Sequence, residues 1–195
     1  EVDEIKEAIR LGGMVGMGGA TFPTHVKMAP PAEKKIHTFI LNAAECEPFL
    51  TADHRVLLEQ TEQVITGVQI AMKVLDVEKA CVGIEENKPD AIEALKKACA
   101  QHSQIQVLPL QTKYPQGAEK TLISVICGVD VPTGGLPMDV GVVVQNVGTV
   151  VAIAEAVEKG IPLIERVTTV TGGVVAEPKN LRLRIGTTFA KAVEW

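Results

Sequence analysis

Aromatic residues are scarce: four Phe, one Tyr and one Trp make up 3% of the 195 residues. A core must therefore come from the Val, Ile, Leu and Ala that dominate the 46% hydrophobic fraction. Such an aliphatic, β-branched composition suits a parallel sheet covered by helices. No basic run occurs and the net charge is −5, so nothing favours nucleic acid as a partner. The four cysteines, at positions 46, 81, 99 and 127, match no zinc or iron–sulfur spacing. A reducing compartment is expected, with Cys81, Cys99 and Cys127 as packing residues. No apolar run is long enough to span a bilayer, and no signal peptide is evident. The length suits one domain, or one and a fraction. The chain starts without Met inside an apparent helix and ends at Trp195 inside another, as an excised piece of a longer protein would.

Glycine, by contrast, is concentrated in one place. Gly12 to Lys27 reads GGMVGMGGATFPTHVK, with five glycines in its first eight positions. Consecutive glycines permit positive φ and let backbone N–H groups converge on one anion. The Lys27 ammonium is a point charge suited to phosphate. Gly16 to Thr21 fails the dinucleotide fingerprint at its last position and follows a helix rather than a strand. No P-loop pattern occurs. Two readings remain for the stretch: the phosphate and ring cradle of a nucleotide-like cofactor, or a helix C-cap followed by a flexible loop.

In chain order, Val2, Ile5, Ala8 and Ile9 mark a helix over 2–11. A buried strand over 37–44 runs into Asn42-Ala-Ala-Glu-Cys-Glu-Pro48. Glu45 and Glu47 there can take ribose hydroxyls or raise each other's pKa, or they belong to a solvated acidic loop. One long helix is expected over 51–75, with Thr51 as N-cap. Strands over 79–85 and 104–110 flank a helix over 87–100, a succession that argues for parallel crossovers. In the loop from Lys113, Gly117 allows close backbone approach. Glu119 and Lys120 open a helix to about residue 128, whose N-terminus favours anions. A strand over 140–147 brings Asn146 and Thr149 to its C-terminal end, the ligand side of an open α/β sheet. Asn146 also suits the cap of a helix over 150–159. After Pro162, alternation over 166–173 and 181–185 indicates a hairpin, followed by a helix capped by Thr187 or Thr188. The fold class expected is α/β: an open, mainly parallel, Rossmann-like sheet of four to five strands with helices on both faces over residues 1–163. The start of a small second domain follows over 164–195.

Three ordered segments then agree. Gly16-Met-Gly-Gly-Ala-Thr-Phe-Pro-Thr-His-Val-Lys27, Asn42-Ala-Ala-Glu-Cys-Glu-Pro48 and Tyr114-Pro-Gln-Gly-Ala-Glu-Lys-Thr121 resemble the flavin-binding subunit of respiratory complex I and its relatives. Thr51-Ala-Asp-His-Arg55 brings the likeness nearest to the RnfC family of the Rnf electron-transport complex. Corrinoid-reductase-type proteins are near neighbours. The resemblance implies FMN as cofactor and NADH as hydride donor. Gly16, Gly18, Gly19, Lys27 and Gly117 would hold the flavin, and Asn42, Asn146 and Thr149 would hydrogen-bond it. Phe22, Glu45, Glu47 and Glu119 would line the nicotinamide side, with Glu47 and Glu119 near the hydride and no residue needed as acid or base. The complex I pattern has Arg at Met17, Gly at Thr21, Asp at Ala44 and Glu at Ala118, so each departure removes a charge or clearance. Residues from Arg166 resemble the start of a soluble-ligand-binding β-grasp module. The resemblance also implies 4Fe-4S clusters outside these residues, partner subunits of a membrane electron-transport complex, and a peripheral place on the cytoplasmic face of the membrane. The alternatives are a non-catalytic scaffold or ligand-binding domain of the same fold, and a corrinoid reductase module.

Overall fold

The computed structural model describes residues 1–194; Trp195, expected within the last helix, lies outside the described residues. Val2–Leu11 forms α1, which buries Ile9 and ends at Gly12. A single turn, α2 (Thr24–Lys27), follows the glycine loop. Four strands then build one sheet: β1 (Thr38–Ala43), β2 (Ala80–Glu85), β3 (Ile105–Leu110) and β4 (Val142–Asn146). Their order is β3-β2-β1-β4 and every pair is parallel. Helices α3 (Ala52–Glu59) and α4 (Thr61–Leu75) link β1 to β2, and α5 (Pro89–Ala98) links β2 to β3. Helix α6 (Glu119–Cys127) leads to β4, and α7 (Val147–Lys159) leaves it.

Strand alternation decides what each face buries. Phe39, Leu41, Val82, Ile84 and Val143 share one cluster with Val68 of α4, Leu95 of α5 and Val150 of α7. Ile40, Cys81, Val142 and Val144 turn the other way, against Leu122 and Ile123 of α6. Both faces are covered, which accounts for strands that are apolar at nearly every position. Of the cysteines expected to pack, Cys81 and Cys99 sit inside these clusters and Cys127 against one of them. A third cluster joins Ile9 and Met14 to Ile153 and Ala156 of α7.

The helix expected over 51–75 is in fact two. Gln60 leaves helical geometry at φ −132°, ψ 34°. The Thr61 hydroxyl donates to the Leu57 carbonyl at 2.6 Å, the acceptor that a continuous ladder would have used. The break lets α3 pack on α5 while α4 runs along α7. Thr51 does not cap α3 with its side chain; the Glu45 carboxylate does, taking the N–H groups of Asp53 at 2.9 Å and His54 at 3.2 Å. Helix α7 starts three residues earlier than expected, because the Asn146 side chain caps it at the Gly148 N–H.

Beyond the sheet, β5 (Glu165–Val170) and β6 (Lys179–Arg184) pair antiparallel. Then α8 (Phe189–Val193) begins at Thr188, whose side chain caps it. This hairpin is tied to the α/β part at Thr51: the Thr51 N–H donates to Thr169 Oγ1 at 3.1 Å, and Asn180 Nδ2 to the Thr51 carbonyl at 3.2 Å.

One glycine sets the spacing of the main helix layer. A Cβ on Gly67 of α4 would lie 2.0 Å from the Val150 carbonyl oxygen of α7. Gly67→Ala must push these helices apart, and overpacking of this kind costs about 1–3 kcal/mol or more. Urea denaturation should register that loss; an unchanged midpoint would mean that α4 and α7 do not approach this closely.

Candidate functional site

The direction of strand addition reverses between β1 and β4. From β1 the chain adds β2 and β3 on one side, then crosses back to add β4 on the other. Crevices at such switch points, beyond the carboxyl ends of the strands, are where open α/β sheets take ligands. The register sets Asn42 beside Asn146 there.

Each asparagine organises a different loop. Asn42 Nδ2 donates to the Gly117 carbonyl at 2.8 Å, and its Oδ1 accepts the Ala44 N–H at 3.1 Å. Gly117 has no room for a side chain, since a Cβ would come within 2.1 Å of the Ala44 carbonyl oxygen. Asn146 Oδ1 takes the Gly148 N–H at 2.9 Å, and its Nδ2 donates to Asp53 Oδ2 at 2.6 Å. The glycine loop rests on the same helix end. The Met17 N–H donates to Thr149 Oγ1 at 3.0 Å, and the loop closes through the Gly16 N–H to the Phe22 carbonyl at 2.8 Å.

These segments enclose a cleft of about 440 Å³. Gly16, Gly18, Phe22, Lys27, Asn42, Gly117, Glu119 and Asn146, all candidate residues of the sequence, line it together. Ala20, Ala118, the Leu136–Met138 segment and the edge strand β4 complete the wall. The remaining candidates lie elsewhere. Thr149 is buried beneath the glycine loop, and Gly19, at φ +117°, stands on the exposed turn of that loop. Glu45 and Glu47 line a separate cavity of about 390 Å³ with Lys88, Lys113 and Tyr114. Glu45 is there committed to capping α3, while Glu47 is exposed.

The charges at the cleft are few. Lys27 Nζ and Glu119 Oε1 pair at 2.6 Å across its mouth. Ala118 holds the N-cap position of α6, and no side chain caps that helix. Its first N–H groups and Lys27 line the same cleft, with the Lys27 charge met by Glu119. Gln145, in the wall, is buried with its Nε2 unpartnered, a cost of about 1–3 kcal/mol for a buried donor.

Sequence reasoning assigned no role to Asp53 or Gln145. Burial pushes the Asp53 carboxyl up to about 7, reinforced by the Glu45 charge; the Asn146 hydrogen bond, Arg166 and Lys88 pull the other way. A spacing signal for Asp53 existed within Thr51–Arg55, but its partner lies 93 positions away. Gln145 precedes Asn146 in an apolar strand, and that buried polar residue was the available sign.

The fold and cleft define a doubly wound α/β domain with an open cleft at its switch point. The model of the Nuo51 FMN-binding domain matches residues 9–155, and the chain belongs to that family. It is similar to the C subunit of the proton-translocating ferredoxin:NAD(+) oxidoreductase complex of Clostridium ljungdahlii, 63% identical over 194 residues, covering 100% of this chain and 42% of that one. The C subunit of the Na(+)-translocating ferredoxin:NAD(+) oxidoreductase complex of Acetobacterium woodii is 51% identical over 194 residues, covering 100% of this chain and 44% of that one. The chain thus spans less than half the length of these curated relatives. A chain of an NAD+-reducing NiFe hydrogenase in the H2-reduced state superposes with a TM-score of 0.82 at 25% identity, covering 99% of this chain and 39% of that one. The likeness read from the three loop segments is borne out. Among the described residues, no helix is long and apolar enough to cross a membrane.

Asp53 gives the site a pH signature. Its folded value lies above the 3.8 of a free carboxyl. Between those values the folded chain keeps a proton that the unfolded chain releases, so this group's contribution to stability falls as pH rises toward 7 and is flat above. Asp53→Asn removes the titration. Relative to the unaltered chain, the variant should therefore gain stability on going from pH 5.5 to pH 8 in urea denaturation, and a pH-independent difference would contradict the shift.

A second expectation concerns space. Gly117→Ala should displace the 111–118 loop from β1 and lower thermal stability by the cost of overpacking, about 1–3 kcal/mol. Unchanged melting would mean that the loop is not held against Ala44.

Proposed function

We propose that residues 1–163 are the FMN- and NADH-binding domain of an electron-transport complex, and that 164–195 begin a β-grasp-like domain. The reading rests chiefly on one observation. The glycine loop, the uncapped start of α6, Lys27 and the two facing asparagines converge on a single cleft. Its volume lies in the range of small-molecule sites, about 300–1,000 Å³. The family described as an FMN-binding domain supports the cofactor. The names of relatives as ferredoxin:NAD(+) oxidoreductase subunits support NADH and an ion-translocating complex.

FMN, once bound, supplies a hydride acceptor able to release electrons singly. The protein's residues bind and orient. The first turn of α6 and Lys27 would take the phosphate, for which the ammonium must leave Glu119. Gly16 and Gly18 keep the floor free of side chains. Asn42 and Asn146 fix the polar edges. Phe22, 49% exposed at the rim, and the released Glu119 would meet the nicotinamide. Glu47 would lie on the same nicotinamide side, entering from the neighbouring loop, with Glu45 holding that loop on α3. Thr149 and Gly19 would act through the shape of the glycine loop. No residue needs to transfer a proton; alignment of donor and acceptor supplies the rate.

Electrons would continue to 4Fe-4S clusters outside these residues, and partner subunits would hold the protein at the cytoplasmic face of the membrane. The test is FMN titration followed by flavin fluorescence, then anaerobic addition of NADH. Quenched fluorescence and NADH-dependent bleaching are expected. A folded chain that ignores saturating FMN would overturn the reading, and tight FMN without bleaching would leave a ligand-binding scaffold in its place.

Lys27→Ala should weaken FMN about 10- to 100-fold, the loss of a charged hydrogen bond worth roughly 1.5–3 kcal/mol. An equal flavin Kd would remove Lys27 from the phosphate site.

A further inference from the structure

We propose that Asp53 is a positioning residue for the cofactor cleft: it holds the Asn146 carboxamide, and through it the helix end on which the glycine loop is seated. The inference rests on the FMN reading above.

Asp53 stands on the first turn of α3, outside the cleft lining. Its Oδ2 accepts from Asn146 Nδ2 at 2.6 Å, while the opposite end of that carboxamide takes the Gly148 N–H at 2.9 Å. The Gly148 N–H can only donate, so it holds Oδ1 and leaves Nδ2 to face Asp53 Oδ2. Nδ2 keeps a second N–H free of both contacts. Asn146 is itself part of the cleft wall, and a side-chain carbon on Gly18 would stand 3.4 Å from its Cβ. The glycine loop is therefore laid directly over the residue that Asp53 grips. The loop is fastened to the same turn again by Met17 and Thr149.

The surroundings of Asp53 come from three other elements. Glu45, after β1, repels it; Arg166 of β5 and Lys88, ahead of α5, attract it. Arg166 Nη2 also reaches the Met17 carbonyl at 3.4 Å, so the guanidinium that faces Asp53 touches the glycine loop as well. A mere tie between α3 and α7 would be better served by apolar packing, since a half-buried carboxyl beside Glu45 costs stability. The cost is explained if the group's task is to orient Asn146.

The test measures FMN affinity of the full chain and its Asp53→Ala and Asp53→Asn variants, with the flavin absorption bands and melting temperature recorded in parallel. Asp53→Ala should weaken FMN roughly 10- to 100-fold, by analogy with the loss of a partner that orients a metal ligand. Altered fine structure of the residual bound flavin should accompany that loss. Asp53→Asn retains an acceptor for Asn146 Nδ2 and should restore affinity to within about threefold. Equal FMN affinity in all three proteins, with only the melting temperature moved, would overturn the proposal. So would an Asn variant as weak as the Ala variant. If Asp53→Ala does not fold, Asp53→Ser, whose shorter hydroxyl falls short of Asn146, takes its place with the same expectations. Failure of the unaltered chain to bind FMN would instead count against the proposed function.

Discussion

The register between β1 and β4 is the constraint on which the site depends. Parallel pairing puts Asn42 and Asn146 side by side at the carboxyl ends of neighbouring strands. Neither asparagine spends its side chain on the other. Asn42 reaches to the 111–118 loop, and Asn146 to α3 and to its own helix. A slip of β4 by one residue would turn Asn146 to the opposite face of the sheet, away from Asn42, and release the loops it organises. The apolar alternation of Phe39, Leu41 and Val143 against α4 and α7 makes that slip costly. The hydrophobic core thus fixes the geometry of polar groups that lie outside it.

The glycine loop shows what such a scaffold can impose on a short segment. Thr21 sits at φ +54°, a left-handed conformation that a β-branched residue rarely adopts and for which the complex I pattern uses Gly. The strain, of order 1–3 kcal/mol for such a residue, is held by the neck of the loop, where Gly16 bonds Phe22 and Thr24 bonds Met14. Met17, at the position of an Arg in that pattern, lines a cavity between α7 and β5 rather than the cleft. Its departure therefore removes a charge without filling the cofactor space. Ala118 does line the cleft, so the absence of a carboxylate there leaves the start of α6 more favourable to an anion.

Much of this was legible in the sequence because it is written in local signals. Short continuous apolar runs gave the sheet strands and alternation gave the hairpin, and Gly12, Gly128 and Gly160 marked helix ends where the structure has them. Glycine, asparagine and glutamate clusters at strand ends gave most of the cleft. What could not be read depends on partners distant in sequence. The break at Gln60 follows from one hydroxyl bond and from the divergent neighbours of α3 and α4, whereas the apolar pattern runs on through it. Glu45 read as a loop acid or a ligand group, and only the fold shows it on the α3 N–H groups. The Lys27–Glu119 pair joins residues 92 positions apart, so their separate readings as phosphate and nicotinamide contacts carried no hint of mutual neutralisation.

The hairpin after residue 163 reaches the supports of the site from outside the sheet. Thr169 and Asn180 hold Thr51, which leads directly into the turn carrying Asp53. Arg166 bonds the Met17 carbonyl. Single exposed bonds of this kind contribute little, about 1 kcal/mol or less. Their importance lies in where they attach, since both loops that the hairpin touches also touch the cleft or its support. The hairpin therefore holds the same two segments that carry Asp53 and the glycine loop. The two parts of the chain thus meet at the backbone of Met17 and Thr51.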